Sequence, residues 1–413
     1  MEFEQIKHKT MKIVVSKTSL EKAVKNIAQV INKKCALPIL GDIHFKCYTD
    51  NTAQTGEPFH YIGVTGSDSE VWLRYDLKAE LLEGDGEFCV DATMLKNALA
   101  NLPEQPLELI VQPVGDVANM AINHQTGHTI IPVESADEYP KPIAIDTDNL
   151  PCLCATCSFL KRAMKRSVYA LGNDDLRPVM CCMYFDKKDE QLNIVATNGH
   201  VLIKNVEKPE WMKNQQNVSF AMPKKAVNIL LTIMGDLDGD DDLYFAVDER
   251  QVKMDSDNIM LQFRTPEARY PNYDSVIPAE QPYFARGDRQ SMVQAIKNVS
   301  PFANSSSNMV VMRLQTLAED PDGDTLEFIG EDVDFSTSAT DRIHVHDNYM
   351  DDHLCIGMKA SSLIDSLGRL IEHEVEIQFA DPSHAVTIRP LNPINKDEEI
   401  TMLIMPMLIN ESD

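Results

Sequence analysis

Three cysteines near the middle of the chain have a spacing that could hold a metal ion. They follow the pattern Cys152-x-Cys154-x-x-Cys157, and thiolates are preferred zinc ligands. The pattern lacks a fourth ligand nearby, and no paired Cys-x-x-Cys occurs elsewhere. The chain has nine cysteines and no recognisable export signal, so we predict reduced, buried thiols rather than a metal centre or a disulfide framework.

Two acidic runs resemble calcium-binding loops at first sight. They are Asp236–Asp240 and Asp320–Asp324. In a calcium loop of the EF-hand type the glycine is at the sixth position, whereas both runs have it at the fourth. We therefore interpret them as acidic turns. Because phosphate-binding and dinucleotide-binding glycine patterns are also missing, the sequence predicts no metal and no cofactor.

The segment Thr197-Asn198-Gly199-His200 is the best candidate for catalysis. A histidine beside a turn could act as a general base. No serine or cysteine nucleophile is visibly paired with it, however, and no carboxylate is placed to orient it. Asn-Gly after a strand is first of all a turn signal. We predict no catalytic residue, and an enzyme that uses His200 remains an alternative.

One amphipathic helix is repeated three times. Its copies share an alanine, an apolar residue, a lysine and a second polar residue: Ala23-Val24-Lys25-Asn26, Ala163-Met164-Lys165-Arg166 and Ala295-Ile296-Lys297-Asn298. Seven positions before each alanine there is a residue that caps helices well, namely Ser16, Thr156 or Asp288. In the first copy, apolar residues recur at helical period, while Lys22, Lys25, Asn26 and Gln29 fall on the opposite face.

Charge is distributed unevenly between these helices and the rest of the chain. The formal net charge is −26, which argues against binding to a polyanion if it is read as a bulk number. The windows 16–31, 156–171 and 288–303 nevertheless hold nine Lys and Arg against two Asp and Glu. Such segregation favours a basic surface that faces a polyanion. The polar helix faces predict that Lys22, Lys25, Arg162, Lys165, Arg166 and Lys297 face this polyanion.

The repeat includes more than the helix. After each first helix we predict an apolar strand, formed by the runs Ala36–Leu40, Val179–Phe185 and Met309–Leu314, and then a second strand. Second helices are predicted at Met94–Leu99, Lys225–Leu230 and Ser362–Leu367. Helices backed by strands indicate the α+β class. The distance in sequence between successive copies of the repeat is far longer than the repeat of a solenoid protein. The predicted domains are residues 1–146, 147–277 and 278–413, with residues 1–10 as an extension.

The composition is that of a globular protein, with 43% hydrophobic and 25% charged residues. No window approaches the length of a membrane span, and the first ten residues lack a signal-peptide pattern. We therefore expect a cytoplasmic protein without a membrane partner.

Four phrases in order resemble the bacterial sliding clamp, the beta subunit of DNA polymerase III, along essentially all of residues 11–409. They are Leu37–Gly41, Ala196–His200, Tyr270–Pro278 and Met405–Met407. The resemblance implies a non-catalytic processivity factor without cofactors. It also implies that two subunits join head to tail in a closed ring around duplex DNA, with the repeated helices lining the hole. Lys34 matches a basic residue that contacts DNA in this family.

The resemblance further implies one peptide-binding pocket per subunit, between the second and third domains. It would receive short motifs from the replicative polymerase, the clamp loader, other polymerases and repair factors. The matching positions are Met180, Thr197, Gly199, His200, Leu202, Pro271, Val276, Met309, Leu403, Pro406 and Met407.

The chain departs from the family pattern around this pocket. Val201, Ser275 and Leu408 stand where relatives often have arginine, and Asn410 to Asp413 extend past the usual end. The pocket should therefore be less basic than in relatives. A base-specific DNA-binding regulator is the other alternative, but the sequence has no evident helix-turn-helix.

Overall fold

The structure is a computed structural model that describes residues 10–32, 35–51, 59–114, 117–174, 176–209, 212–213, 215–316, 324–349 and 354–409. Lys34, residues 1–9 of the predicted extension, most of the acidic run Asp320–Asp324 and the extension Asn410–Asp413 lie outside these residues. The chain divides into two compact units, one formed by residues 1–159 and 225–265 and the other by residues 160–224 and 266–413.

Three similar α+β domains follow one another along the chain. The elements of the first are β1 (Met11–Ser16), α1 (Lys17–Ile27), β2 (Asp42–Asp50), β3 (Phe59–Ser67), β4 (Val71–Lys78), β5 (Leu81–Glu83), β6 (Gly86–Asp91), α2 (Ala92–Ala100), β7 (Pro106–Val114), β8 (Val117–His124) and β9 (Gly127–Ser135). This order of strands and helices recurs twice.

Among its described residues, the second domain has every element of the first except the short fifth strand. Its elements are β10 (Cys152–Thr156), α3 (Cys157–Ser167), β11 (Cys182–Lys188), β12 (Gln191–Thr197), β13 (Val201–Glu207), β14 (Val218–Pro223), α4 (Lys224–Ile233), β15 (Asp242–Val247), β16 (Gln251–Ser256) and β17 (Ile259–Arg264).

The third domain again has the full set. Its elements are β18 (Tyr283–Asp288), α5 (Arg289–Val299), β19 (Met309–Thr316), β20 (Asp324–Asp332), β21 (Thr337–His344), β22 (Asp347–Tyr349), β23 (Cys355–Lys359), α6 (Ala360–Arg369), β24 (Glu374–Phe379), β25 (Val386–Pro390) and β26 (Glu398–Ile404).

The repeated first helices begin where their caps predict. The Ser16 hydroxyl accepts a hydrogen bond from the Ser19 amide at 3.4 Å, and the Asp288 carboxylate accepts one from the Ser291 amide at 2.7 Å. These bonds satisfy amides that have no partner within the first helical turn. Leu20, Leu160 and other apolar residues at helical spacing are fully buried, so each helix buries one face.

The first apolar run is one prediction that is wrong. Residues Pro38–Gly41 form a 3-10 turn, and strand β2 begins only at Asp42. Proline lacks an amide hydrogen and fixes its own backbone angle, so it suits the first turn of a helix better than a central strand. The corresponding turn Pro178–Cys181 precedes β11 in the second domain, whereas the predicted strand at Met309 is confirmed.

Neighbouring domains share continuous antiparallel sheets. In the first unit, β4 of the first domain pairs with β17 of the second, for example through Leu73 and Leu261. In the second unit, β13 of the second domain pairs with β26 of the third through Leu202 and Leu403. Strand pairing thus satisfies the backbone groups at both domain junctions.

The described residues contain no helix that is both long enough and apolar enough to cross a membrane. They also contain no group of three or more side chains arranged to bind a metal ion. Cys157 is buried and Cys152 and Cys154 are half-buried, and none of the three forms a disulfide bond with another described residue.

Candidate peptide-binding cavity and basic helix faces

An apolar cavity of about 150 Å³ lies in the second unit, beside the strand pair β13–β26. Eight of the eleven residues proposed for peptide binding line it: Met180, Thr197, Gly199, His200, Leu202, Pro271, Val276 and Leu403. They come from the second domain, from the segment that follows β17 and from the last strand. Residues distant in sequence are thus brought to one site by sheet pairing.

The turn between β12 and β13 forms one wall of the cavity. The Asn198 carboxamide oxygen accepts hydrogen bonds from the amides of His200 and Val201, each at 2.9 Å. The Thr197 hydroxyl accepts from the Gly199 amide at 3.1 Å and donates to the Val201 carbonyl at 2.8 Å. Gly199 has φ +89°, which disfavours other residues. This turn holds the His200 side chain at the exposed rim.

The floor of the cavity is part of a small hydrophobic core. Leu202, Tyr273 and Leu403 are each at most 5% exposed and pack with Val195 and Ala385. The Tyr273 hydroxyl donates to the Asp186 carboxylate at 2.6 Å. The site therefore has a buried apolar floor with exposed groups at its rim, among them Val276. Such a surface suits apolar side chains of a bound peptide.

Three of the proposed residues do not line this cavity. Met407 instead pairs with Gly357, and its amide donates to the Gly357 carbonyl at 2.7 Å. A Cβ at Gly357 would meet both the Met407 carbonyl oxygen and the Met309 sulfur within 3 Å. Met309 and Met407 are thus neighbours around Gly357, and Pro406 connects them to the cavity residue Met405.

Sequence reasoning missed Asn272, Tyr273 and Met405, which also line the cavity. Asn272 and Tyr273 belong to the phrase Tyr270–Pro278 that supported the resemblance, so the signal was present. Val201, a departure from the family pattern, is a lining residue too. An apolar side chain at this position gives the site less positive charge than an arginine would.

The repeated helices present only part of their basic residues to solvent. Lys25, Lys165 and Lys297 are exposed, and none of them has an ion-pair partner among the described residues. Lys22 is also exposed, but its ammonium lies 3.6 Å from the Asp236 carboxylate. Asn26, predicted on the polar face, is buried and donates to the Tyr75 hydroxyl at 2.9 Å. That part of the prediction is wrong, because Tyr75 provides the amide with a buried partner.

Arg166 is not on an exposed face, and its prediction as an exposed basic residue is wrong. Its side chain is 3% exposed; it forms an ion pair with Glu398 and donates to the Asn205 side-chain oxygen at 2.9 Å. Arg162 is partly exposed and donates to Glu207 at 2.8 Å. A buried guanidinium needs such carboxylate partners to offset its lost hydration.

Glu207 has an unusual protonation equilibrium in this cluster. Burial raises its pKa to about 7; Arg162 opposes this effect and the neighbouring Glu398 adds to it. Two carboxylates thus share two guanidinium groups. The positive charges of Arg162 and Arg166 are paired within the protein, so they are less available to a polyanion.

The chain thus has three repeated α+β domains and an apolar cavity beside the strand pair that joins the second and third domains. Family models of the DNA polymerase III beta subunit match the whole series: the N-terminal domain matches residues 11–143, the central domain 156–272 and the C-terminal domain 274–408. The chain belongs to this family, the bacterial beta sliding clamps. Members of the family are non-catalytic processivity subunits.

Individual relatives agree with this assignment along their full length. A curated beta sliding clamp from Synechocystis is 20% identical over 97% of this chain and 100% of its own length. The crystal structure of the DNA polymerase III beta subunit from Thermotoga maritima has a TM-score of 0.83 at 19% identity and covers 97% of this chain and 100% of its own. A sliding clamp from Pseudomonas aeruginosa bound to griselimycin has a TM-score of 0.82 at 18% identity, with the same coverage.

Proposed function

We propose that this chain is a DNA polymerase processivity factor that encircles duplex DNA and tethers a polymerase through the peptide-binding cavity. The observation that carries this proposal is the ordered match of three clamp domains along residues 11–408. The cavity at the second domain junction supports it. A ring holds its partner on the template by topology and needs no reaction of its own. We propose cytoplasmic localisation and domain boundaries after residues 146 and 277.

The internal repeat supports a head-to-tail homodimer. Strand β4 of the first domain meets β17, and β13 of the second meets β26. The equivalent strand of the third domain, β21, has one neighbour among the described strands, β20. The equivalent of β17 and β26 in the first domain is β9, whose contact with β6 is only two residue pairs long. We propose that β21 of one subunit joins β9 of the other, which removes two exposed sheet edges.

Such a dimer has a mass near twice 46.4 kDa. Light scattering at micromolar concentration measures it directly. A monomer that persists on further concentration contradicts the ring.

The basic helix faces are proposed to line the hole and to contact phosphates. Lys25, Lys165 and Lys297 occupy equivalent positions in the three domains and are exposed. Lys22 and the partly exposed Arg162 belong to the same faces, and Lys34 is proposed from the family resemblance. Phosphate contacts attract DNA without reading its sequence. That property suits a clamp that slides.

The cavity is proposed to receive short peptide motifs from the replicative polymerase, the clamp loader, other polymerases and repair factors. We propose that Met309, Pro406 and Met407 extend it, since Met407 follows Met405 by two residues and lies beside Met309 at Gly357. A methionine-rich surface adapts its shape to different apolar side chains. This property suits a site shared by several partners.

A charge placed in the cavity tests this proposal. Val276 lines the cavity with 54% of its side chain exposed, so Val276→Asp should weaken binding of an apolar clamp-binding peptide by about 30-fold, or roughly 2 kcal/mol. Fluorescence polarisation with a labelled peptide measures this. Griselimycin, found on the Pseudomonas aeruginosa relative, provides a competitor.

The matched control is Val333→Asp, a valine of the third domain that is 57% exposed and outside the cavity. It should leave peptide affinity unchanged. Equal affinities for both variants would show that the peptide binds elsewhere.

A further inference from the structure

A second cavity, of about 360 Å³, lies in the first unit at the junction of the first and second domains. Its walls carry the cations Lys46, Arg74, Lys141 and Lys253, and one carboxylate, Glu87. Apolar groups of the segment 142–145 close one side. The whole chain has a net charge of −26, so a cavity lined by more cations than carboxylates is unexpected. Such a cavity suits an anionic ligand.

This cavity is at the position equivalent to the core beside the peptide-binding cavity. In the first domain His44 pairs with Thr65, and Thr65 pairs with Arg74. In the second domain Tyr184 pairs with Val195, and Val195 pairs with Lys204, in the same register.

The segments after the two domains also correspond. His44 stacks on Tyr139 with 5.0 Å between ring centroids, and Tyr184 stacks on Tyr270 with 4.5 Å. A proline follows each of these tyrosines. Residues of the two junctions can therefore be compared one by one.

At the second junction an aromatic side chain fills the space. Tyr273 is 5% exposed, and its hydroxyl donates to Asp186 at 2.6 Å. The Lys204 ammonium lies 5.2 Å from the centre of the Tyr273 ring, a distance at which a cation and an aromatic ring attract each other. Ring, cation and acid together form a closed local core.

At the first junction the residue that corresponds to Tyr273 is not aromatic. Tyr273 lies three residues after Tyr270, and the residue three positions after Tyr139 is Pro142. The cation is retained, because Arg74 corresponds to Lys204. The acid is replaced by a base, because Lys46 corresponds to Asp186 in the strand register. The space that Tyr273 fills at the second junction therefore corresponds to the cavity at the first junction. The group beside it is the hydrogen-bond donor Lys46 instead of the acceptor Asp186.

The positive charges in this cavity are only partly compensated. Arg74 and Lys253 have carboxylate partners of their own, Asp76 and Asp255. Glu87, in contrast, lies 3.0 Å from the Lys46 ammonium and 3.3 Å from that of Lys141. Two lysines thus share one acid, and a second carboxylate would complete the pairing.

His44 is a third neighbour of this acid, with its Nε2 atom 3.2 Å from Glu87. Burial raises the pKa of Glu87, but the hydrogen bond and charge of Lys46, with His44 and Lys141, outweigh burial and lower it to about 2. Glu87 is therefore already ionised near neutral pH and has no further charge to offer.

We propose that this cavity binds a small aromatic carboxylate. Its ring would occupy the place that Tyr273 fills at the second junction, close to Arg74 and Tyr139. Its carboxylate would accept hydrogen bonds from Lys46 and Lys141, where Tyr273 instead donates to an acid. The volume is within the range of pockets for small ligands, and charge-assisted hydrogen bonds favour the acid over neutral analogues.

Calorimetric titration of the full-length protein with indole-3-acetate and with its neutral amide, indole-3-acetamide, tests the proposal. The acid should bind about tenfold more tightly than the amide. Lys46→Gln and Lys141→Gln should each weaken acid binding about fivefold or more. The matched control is Lys208→Gln, which removes an exposed, ion-paired lysine of the second unit and should change nothing.

Pro142→Tyr supplies the aromatic side chain that the first junction lacks and should abolish binding of the acid by filling the cavity. Peptide affinity at the other cavity should stay normal in all these variants, so failure here is distinct from failure of the proposed clamp function. Equal affinity for acid and amide, or full acid binding in Lys46→Gln, overturns the proposal. Loss of acid binding in Val276→Asp also overturns it, because the acid would then occupy the peptide-binding cavity.

Discussion

At the scale of single residues, a substitution of Arg166 distinguishes a structural role of this side chain from a role in DNA binding. Replacing it by methionine keeps much of its volume but leaves Glu398, 3% exposed, with a weaker set of partners. Removing one partner of a buried ion pair costs about 3–5 kcal/mol. We expect Arg166→Met to lower the urea midpoint of unfolding accordingly.

The neighbouring Lys165→Met is the matched control, because Lys165 is exposed. Its effect should stay within about 0.5 kcal/mol. If Arg166 contacted phosphates instead, its replacement would weaken DNA binding and leave the urea midpoint nearly unchanged.

Glu207 gives this cluster a defined pH dependence. Its pKa is raised by burial to about 7 from an ordinary value of 4.5. Between these two values the folded chain holds a proton that the unfolded chain has released. The unfolding free energy from this group therefore falls as pH rises through that window, by at most about 1.4 kcal/mol per pH unit. Above the window the group is ionised in both states and contributes no further change.

Urea denaturation of Glu207→Gln at several pH values should show that the pH-dependent contribution of Glu207 to the unfolding free energy is lost. The difference in stability between variant and wild type should change between about pH 5 and 7 and be level above it. Glu399→Gln, at an exposed carboxylate on β26, should keep the wild-type profile. A constant difference for Glu207→Gln over the whole range would contradict the raised pKa.

The site residues were predictable to the extent that they belong to sequence phrases. Thr197, Gly199 and His200 lie in one such phrase, and the cavity contains all three. The burial of Arg166 was not predictable. Helical periodicity indicates which residues share a face, but Glu398, which buries this face, is 232 residues away in sequence. Only the pairing of β13 with β26 brings it there.

At the scale of elements, the equivalent lysines of the three repeated helices should act together. The triple variant Lys25→Gln, Lys165→Gln and Lys297→Gln removes exposed charges without breaking a buried pair. For each lysine–phosphate interaction that is removed, the slope of log affinity against log salt should become shallower by about 0.9. Binding of a short duplex, measured by fluorescence anisotropy over a range of salt concentrations, gives this slope.

Lys208→Gln serves again as the control for removal of charge from another surface. Base preference should be the same in all variants, because phosphate contacts carry no sequence information. A triple variant with an unchanged salt slope would place the DNA on a different face.

The elements themselves could be predicted where capping and periodicity agree. Ser16 and Asp288 cap their helices as expected, and the second helices lie where proposed. The apolar run Ala36–Leu40 failed because a short apolar run is ambiguous without its partners. Proline in its middle was the signal against a strand.

At the scale of the whole molecule, the threefold repeat predicts how the domains join, which no single domain can show. Two of the three equivalent edges find partners within the chain, through β4 with β17 and β13 with β26. The remaining edges, on β21 and β9, belong to the third and first domains. A closed ring would use the same joint throughout, whereas among the described strands of a single chain one such joint has no partner strand. Attachment to DNA should therefore depend on a second copy.

Topological attachment has a consequence that no ordinary DNA-binding protein shares. Placed on circular DNA by a clamp loader, the protein should persist even at salt concentrations that weaken phosphate contacts, because closed rings do not dissociate by losing charge interactions. Cutting the circle once should release it as it slides off the ends. Gel filtration of labelled protein with intact and with linearised DNA measures retention. Blocking both ends of the linear DNA with bulky bound proteins should restore it. Comparable retention on linear DNA with free ends would rule out the ring.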